Sequence, residues 1–384
     1  MNKKAVKNNI FIVAGGTGGH IIPARCLAKE LSNNYEILFF GDKKIKSYIK
    51  DEDKFSSKII HSSQVKKSLP LLLKAGIKIF LGIAQSFYFF VRYKPKAVYA
   101  FGGYATFPVL IMAVIFRVKI ILHEQNAHLG KVNRIFAKYA DKIAVSFEKT
   151  SAILDIYKNK VFFTGNPIRE EIVELNKVPY QLPNIEEAEE DLDKNKMGYD
   201  VLLKSDFEEI IEKRNLFSIL IIGGSGGSKI FSDILPKAFF NLSENIKTHI
   251  AVTQQCRAEL VEKTFEQYKS FNINIVVDSF FEDMPELIRN AHLIIARAGS
   301  SSIFEFCTAK KPMILVPFAQ SADNHQEKNA SFFEEKGMAI VVREDKFTIN
   351  KITDLVTEVA LNSNILQKMS DNCAKFITIN QTKN

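Results

Sequence analysis

Cysteine is scarce and scattered. The chain of 384 residues has four, Cys26, Cys256, Cys307 and Cys373, and no two form a C-x-x-C pair. That spacing argues against a zinc site or a disulfide framework, and a reducing cytoplasm is the expected compartment. A secretory leader is not read either. The apolar run after MNKKAVKNN covers only Ile10–Ala14 before glycines begin, short of the roughly 7–15 residues of a leader core. Long uncharged apolar runs are also missing. Leu69–Arg92 has about the length of a membrane span but carries Lys74 and Lys78, and Ala105–Phe116 is too short. Neither is expected to cross a bilayer. No loop ends in the G-K-[ST] of a Walker A motif. No D-x-D pair or histidine cluster lies near the candidate site residues below, so neither metal nor other cofactor is expected.

What remains is globular in composition, 46% hydrophobic and 25% charged, and long enough for two domains. Charge divides unevenly. Residues 1–163 hold 27 Lys/Arg against 10 Asp/Glu, a net +17, and residues 164–384 hold 25 against 33, a net −8, which together give the overall +9. A first half this basic suits an anionic partner, either nucleic acid or an acidic membrane surface.

Short apolar runs alternate with helical stretches. Ile10–Ala14, Glu36–Phe40, Ala97–Phe101, Lys119–Leu122 and Lys142–Val145 read as buried strands. After residue 215 the pattern restarts with Ser218–Ile222, then Thr248–Val252, Ile273–Val277, Leu293–Ala296 and Met313–Val316. Such alternation implies βαβ units and a parallel sheet in each half. The two halves open alike, with IFIVAGGTGG at 10–19 and ILIIGGSGG at 219–227. The expected organisation is a domain over 1–166, a linker with an acidic insert over 167–215, and a second domain over 216–384. The insert, 184–214, has 11 Asp/Glu against 5 Lys/Arg and reads as a solvated excursion. Residues 377–384 read as a frayed tail.

Chemistry concentrates at the strand ends. In Gly15-Gly16-Thr17-Gly18-Gly19-His20, glycines let backbone N–H groups approach an anion, and the following helix turns its positive end to it. A purely structural turn remains an alternative for such a loop. The helix start disfavours the cationic form of His20, which suits it to accept a proton. Gly223-Gly224-Ser225-Gly226-Gly227 repeats the arrangement and could serve a diphosphate, with Arg169 of Asn166-Pro167-Ile168-Arg169 adding a guanidinium. In Arg297-Ala298-Gly299-Ser300-Ser301-Ser302-Ile303-Phe304-Glu305, a carboxylate one turn beyond a serine-rich start can accept two ribose hydroxyls, although a capped helix start reads the same way. Pro317–Gln326 and His123-Glu124-Gln125-Asn126 are polar loops after strands, ordinary in isolation.

Together AGGTGGH, FGGYATFP, HEQNAHLG, TGNPIR, GGSGGSK, RAGSSSIFE and ADNHQEKNA make the chain resemble one family along residues 10–345. That family is the undecaprenyldiphospho-muramoylpentapeptide β-N-acetylglucosaminyltransferases of glycosyltransferase family 28. The resemblance implies a GT-B fold, two Rossmann-like α/β domains whose parallel sheets face each other across a cleft. It also implies inverting transfer of N-acetylglucosamine from UDP-N-acetylglucosamine to the C4 hydroxyl of lipid I, giving lipid II. By the same resemblance His20 is the general base, and Thr17, Gly18 and Gly19 take the acceptor diphosphate and part of the donor. Asn126 and Gln326 contact the sugar. Arg169 and Ser225 hold the UDP diphosphate, Ser300 and Ser301 flank it, the backbone at Phe281 reads uracil, and Glu305 takes the ribose. Tyr104 falls in a family-like loop without an implied role. The family form of the second loop is Ser-Gln-Gly, and Ser225-Gly226-Gly227 departs from it.

A peripheral enzyme on the cytoplasmic face of the inner membrane is also implied. Lys66, Lys67, Lys74 and Lys78 interleave with Leu69, Leu71–Leu73, Ile77, Ile79, Phe80 and Leu81. Such a helix lies in an anionic interface, or else packs as a core helix with snorkelling lysines. Nucleic acid is not an expected partner. Two related readings share the fold: a glucosyltransferase acting on diacylglycerol and a UDP-N-acetylglucosamine 2-epimerase.

Overall fold

Runs of apolar residues become parallel strands in the computed structural model of the chain, which describes residues 8–63, 69–182, 216–224, 226–271 and 273–381. The acidic insert and Ser225 lie outside the described residues. Two compact units emerge, Met1–Glu170 and Glu171–Asn384.

The first unit holds β1 (Asn9–Val13), α1 (Gly18–Leu31), β2 (Glu36–Gly41), β3 (Ser56–Ile59), α2 (Leu69–Tyr93), β4 (Ala97–Ala100), α3 (Phe107–Ile115), β5 (Lys119–Glu124), α4 (Lys131–Phe136), β6 (Lys142–Val145) and β7 (Val161–Phe163). Its sheet runs β3-β2-β1-β4-β5-β6-β7, every pair parallel. Because side chains alternate across a strand, β1 feeds two cores. Phe11 and Val13 pack with Phe40, Phe90 and Leu122, while Ile10 and Ile12 pack with Ile21, Phe39 and Phe101. Covering both faces with apolar side chains is what a parallel sheet requires.

The second unit begins in α5 (Glu170–Leu175) and carries β8 (Phe217–Ile222), β9 (Ile250–Gln255), β10 (Asn274–Asp278), β11 (Leu293–Ala296), β12 (Met313–Leu315) and β13 (Ala339–Val341). The order is β10-β9-β8-β11-β12-β13, again parallel throughout. Tyr180 lies on this unit, its hydroxyl donating to the His292 carbonyl at 2.9 Å.

Three strands escaped the sequence reading. β3 is Ser-Ser-Lys-Ile, mostly exposed, and sits at a sheet edge where one face needs no burial. β7 and β13 have three residues each, too few to show a period. Boundaries also move: the strand expected from Thr248 starts at Ile250, because Thr248 ends the short helix Glu244–Thr248. β5 continues through His123 and Glu124, so these are strand residues and not loop. The tail expected to fray from Ile377 is helical to Gln381, in the Ser363–Gln381 helix, because Leu366, Met369 and Cys373 bury its apolar stripe.

Candidate active site

In the first unit, the carboxyl ends of β1, β2, β4 and β5 gather the site. The turn after β1 needs glycine: Gly16 has φ +90°, and a Cβ on Gly18 would meet the Tyr48 hydroxyl at 2.8 Å. Helix α1 starts at Gly18, so His20 stands in its first turn. Thr17 is the N-cap but its side chain makes no capping bond. Its hydroxyl pairs instead with His20 Nδ1 at 3.1 Å, which sets the ring's orientation. The ring lies along Gly102 and Gly103, both at positive φ. A Cβ on Gly102 would sit 3.6 Å from His20 Nε2 and 3.4 Å from Asn133 Nδ2.

Asn133 leads to the end of β5. The buried Glu124 carboxylate accepts from the Asn126 backbone and side chain, each at 3.1 Å, through one oxygen. Its other oxygen accepts from Gly130 N at 2.8 Å and Asn133 Nδ2 at 3.0 Å. Burial raises the Glu124 pKa, and these four donors work against that rise by stabilising the anion. Next to it, burial lowers the His123 pKa to about 4, partly opposed by its bond to the Gly165 carbonyl, and its ring stacks on Phe101 at 4.9 Å. His123 is therefore neutral in the fold, and Asn126 is held by its strand. Thr17, Gly18, Gly19, His20 and Asn126 thus come to one sheet edge, linked through Gly102, Asn133 and Glu124. Arg169 stands half-buried just before α5.

In the second unit, β8 runs into the second glycine loop and then the Lys229–Phe240 helix. Gly224 and Gly227 have φ +82° and +64°. A Cβ on Gly223 would stand 2.3 Å from Ser228 N, and one on Gly227 2.6 Å from Arg257 N. Beside the loop lies an open pocket of about 330 Å³, lined by Gly226, Gly227, Cys256, Arg257, Ala258, Glu259 and Ser279. Arg257 carries no motif signal in the sequence, because only the packing of the end of β9 against the loop brings it there.

Ser300 and Ser301 begin the Ser300–Thr308 helix after β11, with Glu305 one turn on from Ser301, and all three are buried. Arg297, from the same motif, is committed elsewhere. It pairs with Glu344 at 2.6 Å and donates to the Val316 carbonyl at 3.1 Å. Phe281 is buried just beyond β10, against Leu216, Ala251 and Val276. Gln326, second in the His325–Glu335 helix, accepts from Phe318 N through its amide oxygen at 2.9 Å, which leaves its NH₂ for a ligand. Gly224, Gly226, Gly227, Phe281, Ser300, Ser301, Glu305 and Gln326 therefore share the carboxyl edge of this sheet, where open α/β sheets bind ligands. Among the described residues, no group of three or more His, Cys, Asp or Glu side chains comes together to hold a metal ion.

Two parallel-sheet units, each with a glycine turn feeding a helix at its carboxyl edge, define the class: a two-domain α/β glycosyltransferase of the GT-B type. The comparisons narrow it. The family model described as the glycosyltransferase family 28 N-terminal domain matches residues 10–145, and that of the C-terminal domain matches 218–382. A protein of Rickettsia africae (strain ESF-5) is 33% identical over 370 residues, 95% of each chain. It is named UDP-N-acetylglucosamine–N-acetylmuramyl-(pentapeptide) pyrophosphoryl-undecaprenol N-acetylglucosamine transferase. The crystal structure of Acinetobacter baumannii MurG matches at 25% identity and TM-score 0.69, covering 96% of this chain and 95% of that one. A UDP-GlcNAc 2-epimerase of Neisseria meningitidis, 15% identical over 98% of this chain and 100% of its own, shares the fold at TM-score 0.59. The chain belongs to glycosyltransferase family 28, in the MurG family.

Proposed function

We propose that this chain transfers N-acetylglucosamine from UDP-N-acetylglucosamine to the C4 hydroxyl of undecaprenyl-diphosphate-linked N-acetylmuramyl-pentapeptide, making lipid II for the cell wall. The observation that carries this is the 33% identity to the Rickettsia africae transferase along 95% of both chains.

The first unit takes the acceptor and the second takes most of the donor. The acceptor diphosphate meets the start of α1 at Thr17, Gly18 and Gly19, where peptide dipoles favour an anion. With Nδ1–H donating to Thr17, His20 presents Nε2 as the base that takes the C4 hydroxyl proton. The C4 oxygen attacks the anomeric carbon from the face opposite UDP, the glycosidic phosphate bond breaks, and the configuration inverts. The charge that develops on UDP is met by Arg169, Ser225 and the start of the Lys229–Phe240 helix, with Ser300 and Ser301 alongside. Glu305 accepts the ribose hydroxyls, the backbone at Phe281 reads uracil, and Asn126 and Gln326 hold the sugar.

Helix α2 serves the membrane-bound acceptor. Leu71–Tyr93 is long and apolar enough to cross a membrane. One stripe of the helix is nevertheless committed to the unit: Ala75, Ser86 and Phe90 are buried, and a Cβ on Gly82 would strike the His61 carbonyl. The other side leaves Leu73, Ile77, Phe80, Phe87 and Tyr88 at least half exposed. A helix fastened along one side and apolar on the other lies in an interface, with Lys74 and Lys78 drawn to the anionic cytoplasmic leaflet.

The test gives the purified chain labelled UDP-N-acetylglucosamine with a lipid I analogue, with diacylglycerol, or with no acceptor. Label on lipid I, undiminished by EDTA, supports the proposal. Label on diacylglycerol, or conversion of the donor alone, overturns it.

A further inference from the structure

We propose that Asp42 is a positioning residue for the transfer, a carboxylate that ties the first glycine loop to Tyr104 and fixes where the acceptor's phosphates can sit. The proposal rests on the functional reading above.

Asp42 follows β2 and is buried. One of its oxygens accepts from Gly16 N at 3.0 Å and from the Tyr104 hydroxyl. The other accepts from Lys44 N at 3.0 Å, where Asp42 caps the 3₁₀ turn Lys43–Ser47. Lys44 Nζ then donates to the Gly16 carbonyl at 2.7 Å. Gly16, at φ +90°, is thus held through both its N–H and its C=O by the turn after β2. The Tyr104 ring packs against the same residue, since a Cβ on Gly16 would stand 3.4 Å from Tyr104 Cε1. Its neighbour Ala105 closes on Gly15, where a Cβ would come within 2.5 Å. Three loops, from β1, β2 and β4, are therefore joined around one carboxylate. Burial and the Asp42 partner hold the Tyr104 pKa up at about 12, so the phenol stays a donor through the physiological range.

This has a consequence for anion binding. The Gly16 N–H is spent on Asp42 and the Lys44 ammonium on the Gly16 carbonyl, so neither group is open to a second anion there. Phosphates arriving at the loop are directed to donors from Thr17 onward, beside His20. The network also gives Tyr104 a role: it braces the carboxylate from the β4 side.

The experiment compares wild type, Asp42→Asn, Tyr104→Phe and the double variant in the lipid I assay, with UDP affinity measured on each by calorimetry. An asparagine can accept through only one of its two groups, so part of the network breaks. The expected result is a fall of about tenfold or more in kcat/KM for the acceptor in Asp42→Asn. UDP affinity stays unchanged, because most of the contacts to UDP are assigned to the other unit and Asp42 touches none of the residues proposed to hold it. The double variant is no worse than Asp42→Asn, as expected of residues acting through one network. Wild-type acceptor kinetics in Asp42→Asn, losses that add fully in the double variant, or UDP affinity falling in step would each overturn the proposal. A wild-type chain that transfers nothing to lipid I would instead overturn the functional reading.

Discussion

His20 and Glu124 illustrate how single residues are set to their tasks. His20 is oriented by Thr17 and backed by glycines, and it stands in the first turn of α1. Replacing it with alanine removes the proposed base, and kcat should fall by at least about 10²-fold while UDP affinity is retained. Comparing single-turnover transfer with calorimetric UDP binding checks this. Glu124 is a buried acceptor for four donors. In Glu124→Gln one oxygen becomes an NH₂ facing donors, so stability should drop by about 1–3 kcal/mol and transfer should fall as Asn126 loses its tether. Thermal melts and acceptor kinetics read the two effects. In the sequence, HEQN is an ordinary polar stretch. Only the sheet shows that its glutamate is buried and that Asn133, nine positions on, completes its shell.

At the scale of elements, the glycine turns were legible and their partners were not. A strand followed by glycines and a helix is a local pattern, readable in a window of about fifteen residues. The contact of one turn with another is not. Gly103 stands so close to the β1 turn that a Cβ would fall 2.3 Å from the Gly15 carbonyl, and its φ is +81°. Gly103→Ala should therefore separate the two loops, costing about 1–3 kcal/mol of stability and most of the activity. Gly76→Ala, a site on α2 with nothing within 4 Å, is the control that should cost neither. Hydrogen exchange of the residue 14–20 amides would locate the damage. Edge strand β3 was missed because exposure, not hydrophobic pattern, is what an edge permits.

For the whole molecule, charge and burial make predictions about pH and membrane binding. Each unit encloses one histidine whose pKa burial lowers to about 4, His123 in the first and His292 in the second. Folded values below the ordinary 6.5 mean that the unfolded chain takes up protons first. Stability is therefore intact above about pH 6.5 and is lost as pH falls toward 4, by about 2 kcal/mol per histidine at pH 5. Thermal midpoints at pH 7 and pH 5 should show the drop, and His123→Gln should remove about half of it, leaving the share of His292. On α2, Ile77→Glu with Phe80→Glu changes residues that are 63% and 70% exposed, so the fold should stand. Binding to anionic vesicles should fall sharply, with transfer to a short-chain soluble acceptor preserved. Cosedimentation and the two transfer assays together check this, and raised salt should weaken vesicle binding of the wild type as well.

The sequence by itself determined the alternation of strand and helix, the two glycine-turn starts, the basic first half and, through its motifs, the family. All of these are properties of neighbouring residues or of composition. The tertiary structure decided which side chains hold the site in shape. Asp42 meets Tyr104 across 62 positions and Gly16 across 26 only because the sheet places β2, β1 and β4 side by side. Strand order brings loops distant in the chain to one edge, and hydrogen bonds between such loops leave no periodic trace in the residues that make them.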